Sequence, residues 1–170
     1  MKVTACPLPA DSHIIQTVPG ADFADCYRFN DPHPDRSALD TYLAIFARTP
    51  RWMKLLMAMR NGVVRHLGLK HADGLTLADR DKPGKNYQPG DRTGLFTLEQ
   101  ATPQEVIVFD DDKHLKVRLS LFKYVVNGQP TVSLSTVVHI HNRLGRAYMS
   151  VVGPAHKLIV PLMLAQAAKV

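Results

Sequence analysis

The chain lacks most of the short motifs that identify a reaction. It has no glycine-rich phosphate loop, no Gly-x-Ser-x-Gly elbow and no His-Glu-x-x-His helix. No uninterrupted apolar run reaches the about 18 residues of a membrane span, and the first residues lack the apolar core of a signal peptide. Two cysteines without metal or redox spacing favour reduced thiols. The sequence therefore predicts a cytoplasmic protein without a membrane span.

Acidic residues are missing from one long stretch. No Asp or Glu occurs between Asp40 and Asp73, whereas six Lys or Arg do, and the whole chain carries a net charge of +6. Proteins that bind single-stranded nucleic acid interleave such basic groups with stacking aromatics, and this stretch does not. Solvated helix faces are the better interpretation, and we predict no nucleic-acid partner.

What remains is typical of one α+β domain over residues 1–170. Residues 1–19 form an N-terminal arm, a first strand covers 20–29, and Ser37 with Asp40 predicts the start of a helix. A second helix, with an apolar side and a basic side, runs to about Leu67. Residues 71–92 are rich in glycine and proline without periodicity, which predicts a mobile loop.

The rest of the chain is predicted to form an antiparallel sheet and a terminal helix. The predicted strands cover residues 94–100, 105–109, 114–126, 129–142 and 147–152, and the helix covers 154–169 with a bend at Pro161.

Two hairpin turns set the predicted register. Asn127-Gly128 is a strong turn signal, and it places Leu121 opposite Leu134 and Leu119 opposite Thr136. Taking Asp111-Asp112 as the preceding turn places Val108 opposite Leu115. The apolar residues then build the core, the polar residues share the other face of the sheet, and the aspartates serve the turn rather than catalysis.

The second face carries a candidate polar cluster. Its predicted members are His114, Arg118, His139, His141, Asn142 and Arg146. Opposed histidines on one sheet face are close enough to share a metal or a proton. Lys116 lies among them, however, and no cysteine or carboxylate ligand accompanies them. We therefore predict no metal and no cofactor.

A second group of residues is predicted to line an apolar ligand pocket. Its members are Trp52, Met53, Leu56, Met59, Leu119, Tyr148 and Leu158. Methionines beside a tryptophan suit an adaptable pocket, although core filling is the more usual reason for such residues.

Two stretches, "EVIVFDDDKHLKVRLSL" and "TVVHIHNRLGRAYMSVVGPAHKLIV", carry a family resemblance. Their most specific pieces are Asp112-Lys113-His114-Leu115, Arg118 and His141-Asn142-x-x-Gly145-Arg146-x-Tyr148. The chain resembles the bacterial domain-of-unknown-function family number 2867, within the START-like (helix-grip, SRPBCC-type) superfamily. This implies a curved antiparallel sheet with two short helices after the first strand and a long C-terminal helix packed on the sheet. It implies no assigned activity.

Three functions are open at this point. The first is a module that binds a small apolar or amphipathic ligand between the sheet and the C-terminal helix. The second is a cyclase- or hydrolase-like enzyme that uses His114, His141 and Arg118. The third is a protein–protein interaction module, and a homodimer is compatible with each of them.

Overall fold

The structure, a computed structural model, describes residues 2–47 and 86–167. These form an α+β fold with one curved, seven-stranded antiparallel sheet in the order β1-β2-β7-β6-β5-β4-β3. The strands are β1 (Thr4–Ala5), β2 (Phe23–Asn30), β3 (Arg92–Thr93), β4 (Phe96–Ala101), β5 (Glu105–Asp111), β6 (Leu115–Val126) and β7 (Gln129–Ile140). The helices are a 3-10 helix (His13–Thr17), α1 (Ala38–Ala47) and the long α2 (Arg143–Ala167). The α+β class and the antiparallel sheet are as the sequence predicts.

The β6–β7 hairpin has the predicted register. Asn127 and Gly128 both adopt positive φ angles, 49° and 76°, as a two-residue hairpin turn requires. Leu121 accordingly pairs with Leu134, and Leu119 pairs with Thr136.

The predicted β5–β6 register is wrong. Val108 pairs with Leu119 instead of Leu115, because the turn lies two residues further along the chain, at Lys113-His114. The Asp112 side chain stabilises this turn by accepting hydrogen bonds from the backbone N–H groups of His114 and Leu115, at 2.6 and 3.0 Å. The slip is an even number of residues, so each side chain still points to the predicted face.

Helix starts are set by side-chain caps. In α1 the Ser37 hydroxyl accepts a hydrogen bond from the Asp40 N–H at 3.1 Å, which confirms the predicted cap. The predicted strand over residues 147–152 is wrong, because α2 already begins at Arg143. Asn142 caps that helix: its side-chain oxygen accepts hydrogen bonds from the N–H groups of Leu144 and Gly145. A local cap here outweighs the strand preference of the valines.

The main core lies between one face of the sheet and the two helices. Side chains from α2 reach it at Val160, Met163 and Leu164, and side chains from α1 reach it at Leu39 and Tyr42. The sheet contributes apolar residues from every central strand, as the alternation in sequence predicts.

The second face of the sheet, which carries the polar residues of the hairpin, is also covered at its centre. Ser120, Ser133, Ser135 and Val137 are all fully buried there. The N-terminal arm crosses this face, and the 3-10 helix buries Ile14 completely. The arm therefore gives the sheet a second covered layer.

Helix α2 also presents an apolar stripe to its outer side. Val151, Leu158 and Leu162 are 72%, 71% and 57% exposed, and their spacing places them opposite the buried Val160 and Leu164. Of the helices in the described ranges, α2 alone is long and apolar enough to cross a membrane, by length and composition. The sequence did not predict a helix of this length and composition, because polar side chains interrupt its apolar run.

Several predictions concern residues outside the described ranges. The second helix, with Trp52, Met53, Leu56 and Met59, lies there. So does most of the predicted loop. Its described end is packed, since Tyr87 belongs to the core cluster.

Candidate functional site

Strand β2 carries an acidic residue on its core face. Phe23, Asp25, Tyr27 and Phe29 alternate along the strand and therefore point to the same side of the sheet. Asp25 pairs across to Thr136 of β7, which puts a carboxylate and a hydroxyl side by side among aromatic rings.

Helix α2 brings a histidine to the same place. His156 precedes the core residues Val160 and Met163 by four and seven positions, so it lies on the helix face that packs against the sheet. Its Nε2 atom lies 3.2 Å from the Thr136 hydroxyl and 3.4 Å from Oδ1 of Asp25. Asp25, Thr136 and His156 thus form a compact polar group, which we call the Asp25 site.

The carboxylate of the Asp25 site is buried and lacks hydrogen bonds. Its side chain is 11% exposed, and neither oxygen has a hydrogen-bond partner among the described residues. An unsatisfied buried polar group costs about 1–3 kcal/mol, and more when it is charged. Native folds rarely keep such a group without a use, so it marks a candidate functional position.

Aromatic side chains surround the site. The Phe23 ring meets the His156 imidazole edge to face at 5.7 Å, and Lys157 lies 5.9 Å from the same ring. The Tyr27 hydroxyl donates to the carbonyl of Lys157 at 3.4 Å. Burial and the negative charge of Asp25 together raise the pKa of Tyr27, which keeps this hydroxyl protonated.

The chemistry available to the Asp25 site follows from these groups. A carboxylate with free lone pairs accepts hydrogen bonds from an ammonium, amide or hydroxyl group. A neighbouring imidazole can give or take a proton. The donor set does not suit a metal: the described residues hold no group of three His, Cys, Asp or Glu side chains placed to bind one. The site can therefore accept a hydrogen bond from, or exchange a proton with, a polar group placed beside it.

The predicted polar cluster is divided among separate contacts. His114 is buried, and its Nδ1 atom lies 3.0 Å from the side-chain nitrogen of Asn142, which also donates to the Lys113 carbonyl at 2.8 Å. A Cβ atom on Gly145 would lie 2.3 Å from the His114 carbonyl oxygen, so only glycine fits. The residues that carry the family resemblance therefore join the β5–β6 turn to the start of α2.

The other cluster members have partners of their own. His141 contacts Asp111 at 3.2 Å, Arg118 pairs with Glu99 at 2.9 Å, and His139 lies 3.4 Å from the carbonyl oxygen of Pro19. Arg146 is exposed.

Asp111 is the acidic centre of this region. It pairs with Lys116 at 2.9 Å as well as with His141. Burial alone would raise the pKa of Asp111, but these two partners outweigh it and lower the pKa. This is the behaviour of a surface ion-pair group rather than of a convergent site.

The predicted pocket residues in the described ranges are also spread apart. Leu119 is part of the core, Tyr148 is half-buried, and Leu158 lies on the exposed stripe of α2. Leu158 was predicted to line the ligand pocket, but it lies on the outer side of the helix, away from the sheet.

Sequence reasoning missed the Asp25 site, although its signals were present. An acid alternating with three aromatics in "FADCYRF" indicates a carboxylate on an apolar strand face. A histidine four and seven residues before core positions of a helix indicates an inward imidazole. What the sequence could not show was that β2 pairs with β7 and not with a nearer strand.

The comparison with known protein families identifies one family. The model of the family described as "Protein of unknown function (DUF2867)" matches residues 17–163, which include all three residues of the Asp25 site. A search of the curated proteins gave no match.

Proposed function

The chain belongs to the DUF2867 family of proteins of unknown function, and from that premise we propose that it binds a small amphipathic ligand between the sheet and α2. One observation carries this proposal. The Asp25 carboxylate is buried beneath α2 with both oxygens free of hydrogen bonds among the described residues. A ligand with a donor group would remove that cost on binding.

The surroundings of Asp25 indicate the polarity of the ligand. The carboxylate favours a cationic or hydrogen-bond-donating end, because it is an acceptor only. Phe23 and Tyr27 stand on either side of it along β2 and offer apolar surface to the remainder of the ligand. His156 and Thr136 orient the polar end. An aliphatic amine has this combination of groups.

A helix-grip arrangement of the START-like type is part of the proposal. It is supported by the element order, with a long terminal helix whose core residues pack on one face of a curved antiparallel sheet. In that arrangement the ligand lies where the sheet and helix diverge, a usual position for small-molecule sites.

The first test uses two probes that share one chain length, decylammonium and decanoate. We expect decylammonium to raise the melting temperature of the wild-type protein in proportion to its saturation, and decanoate to have little effect. The Asp25→Asn variant should lose most of the response to the amine, because its charge is gone.

Asp35→Asn is the matched control, since Asp35 is an exposed aspartate that is not part of the Asp25 site. It should respond as the wild type does. Equal stabilisation by both probes, or an unchanged amine response in Asp25→Asn, would contradict the proposal. Native mass spectrometry of the purified protein would add the identity of any co-purified ligand.

The alternatives from sequence stay predictions without a supporting contact. The enzyme based on His114, His141 and Arg118 lacks support because each of these residues contacts a different partner. The interaction module, the homodimer, the cytoplasmic location and the bacterial origin likewise stay predictions.

A further inference from the structure

Two cysteines that are distant in sequence meet across β1 and β2. These strands pair antiparallel with Ala5 opposite Tyr27, and the next step places Cys6 beside Cys26. The Cys6 N–H donates to the Cys26 carbonyl at 3.0 Å, and the two sulfur atoms lie 3.4 Å apart as free thiols. Directly paired residues of this kind have Cα atoms about 5.5 Å apart, within the range that a disulfide spans.

We propose that Cys6 and Cys26 are oxidised by a hydroperoxide to a reversible disulfide that fastens the N-terminal arm to β2. In the first step the Cys6 sulfur attacks the peroxide and the O–O bond breaks. Cys6 becomes a sulfenic acid, and the other oxygen leaves with the Cys6 proton as an alcohol, or as water where the oxidant is hydrogen peroxide. In the second step the Cys26 sulfur attacks Sγ of Cys6 and water leaves with the Cys26 proton. Two thiols are oxidised and one hydroperoxide is reduced.

The environments of the two cysteines assign their roles. Cys6 is half-buried, whereas Cys26 is only 2% exposed. Burial raises the pKa of Cys26 to about 12, although a hydrogen bond from the Ser135 hydroxyl at 3.3 Å opposes this. The thiolate is the nucleophile, so oxidation begins at Cys6 and the buried Cys26 completes it more slowly.

The consequence concerns the N-terminal arm. In the reduced protein the arm is held on the second face of the sheet by its contacts, including the buried Ile14. The disulfide would add a covalent attachment upstream of the 3-10 helix. Oxidation should therefore slow amide hydrogen exchange in residues His13–Thr17.

The test treats the folded protein with hydrogen peroxide and then alkylates it in denaturant for intact-mass analysis. We expect a monomer that has lost two hydrogens, takes up no alkylating agent, and regains two alkylation sites after dithiothreitol. Cys6→Ser and Cys26→Ser each keep only one cysteine, so neither variant should form the intramolecular disulfide. Cys26→Ala replaces Cys26→Ser should the serine variant fail to fold.

A glutathione equilibrium separates native geometry from chance pairing. The equilibrium constant for disulfide formation should be larger in the folded chain than in the urea-unfolded chain, by about tenfold or more. An equal or smaller constant in the folded chain would overturn the proposal. So would a product in which Cys6 is over-oxidised or cross-linked between chains while Cys26 still alkylates.

Discussion

Glu105 and Asp25 are both buried carboxylates on the same sheet, and their surroundings are opposite. Glu105, on the second face, is 1% exposed and receives hydrogen bonds at both oxygens. Ser12 and Ser120 donate to one oxygen, and the backbone N–H and imidazole of His13 lie at 2.9 and 2.8 Å from the other. Asp25, on the core face, has no hydrogen bond among the described residues.

The difference separates a carboxylate that stabilises the fold from the one that we propose binds a ligand. Burial alone would raise the pKa of Glu105, but its hydrogen-bond donors outweigh burial and lower the pKa. Glu105 is thus stabilised as an anion, and it ties the arm to the sheet. Asp25 has a 3.4 Å contact with the His156 imidazole but no hydrogen bond among the described residues, which is expected where a proposed ligand supplies the missing donor.

The largest expected effect is that of Glu105→Ala. It should lower the free energy of unfolding by about 3–5 kcal/mol, because it leaves several buried donors without their acceptor. Urea denaturation measures this directly. Glu99→Ala is the control: its carboxylate is more exposed and pairs with Arg118, so its loss should cost less than about 1 kcal/mol. Similar losses of unfolding free energy in both variants would contradict the structural role of Glu105.

A smaller effect is expected for Ser120→Ala. Its hydroxyl donates to the Glu105 carboxylate at 2.6 Å, and a hydrogen bond to a charged group is worth about 1.5–3 kcal/mol. Ser133→Ala is a matched control, because Ser133 is equally buried but donates to a backbone carbonyl at 3.4 Å. That variant should lose about 0.5–1.5 kcal/mol. The reverse order in urea melts would contradict the hydrogen-bond assignment.

Acidification should weaken the fold through Glu105. The pKa of Glu105 in the folded state is lower than its usual value of 4.5. The stability that this carboxylate adds is therefore fully present above pH 4.5 and is lost as the pH falls through the folded-state pKa. Glu105→Gln should therefore show a shallower loss of stability below pH 4.5 than the wild type. The comparison is best repeated in an Asp111→Asn background, since the pKa of Asp111 is lowered too. Parallel curves would show that Glu105 does not titrate differently in the folded state.

The smallest effect, with the opposite sign, is expected for Asp25→Asn. Removing a buried charge without hydrogen bonds should leave stability unchanged or raise it by up to about 1 kcal/mol. Equilibrium unfolding in urea without added ligand measures the change. A loss greater than about 1 kcal/mol would show that Asp25 is already satisfied in the fold, and its contrast with Glu105 would disappear.

Local signals in the sequence predicted the parts of the fold that depend on residues close together in the chain. The Asn127-Gly128 turn gave the correct β6–β7 register, and Ser37 with Asp40 gave the start of α1. The β5–β6 register failed because three consecutive aspartates offer several turn positions. Only the Asp112 side chain, bonded to the two following N–H groups, decides among them.

The candidate site depended on contacts that are remote in sequence. Alternation could place Asp25 on an apolar face, but it could not show that β7 supplies Thr136 or that α2 covers both. The same limit applies to the second face, where alternation could not show that the N-terminal arm covers polar residues such as Ser120.

The pairing of β2 with β7 has a consequence for synthesis on the ribosome. Cys26 of β2 lies beside Ser135, 109 residues later, so β2 cannot find its partner until most of the chain has been made. Strands β5, β6 and β7, by contrast, follow one another and can form as successive hairpins. The aromatic residues of β2 therefore stay unpaired in the nascent chain for longer than the residues of β5 and β6. They are apolar surface that a chaperone can cover during translation.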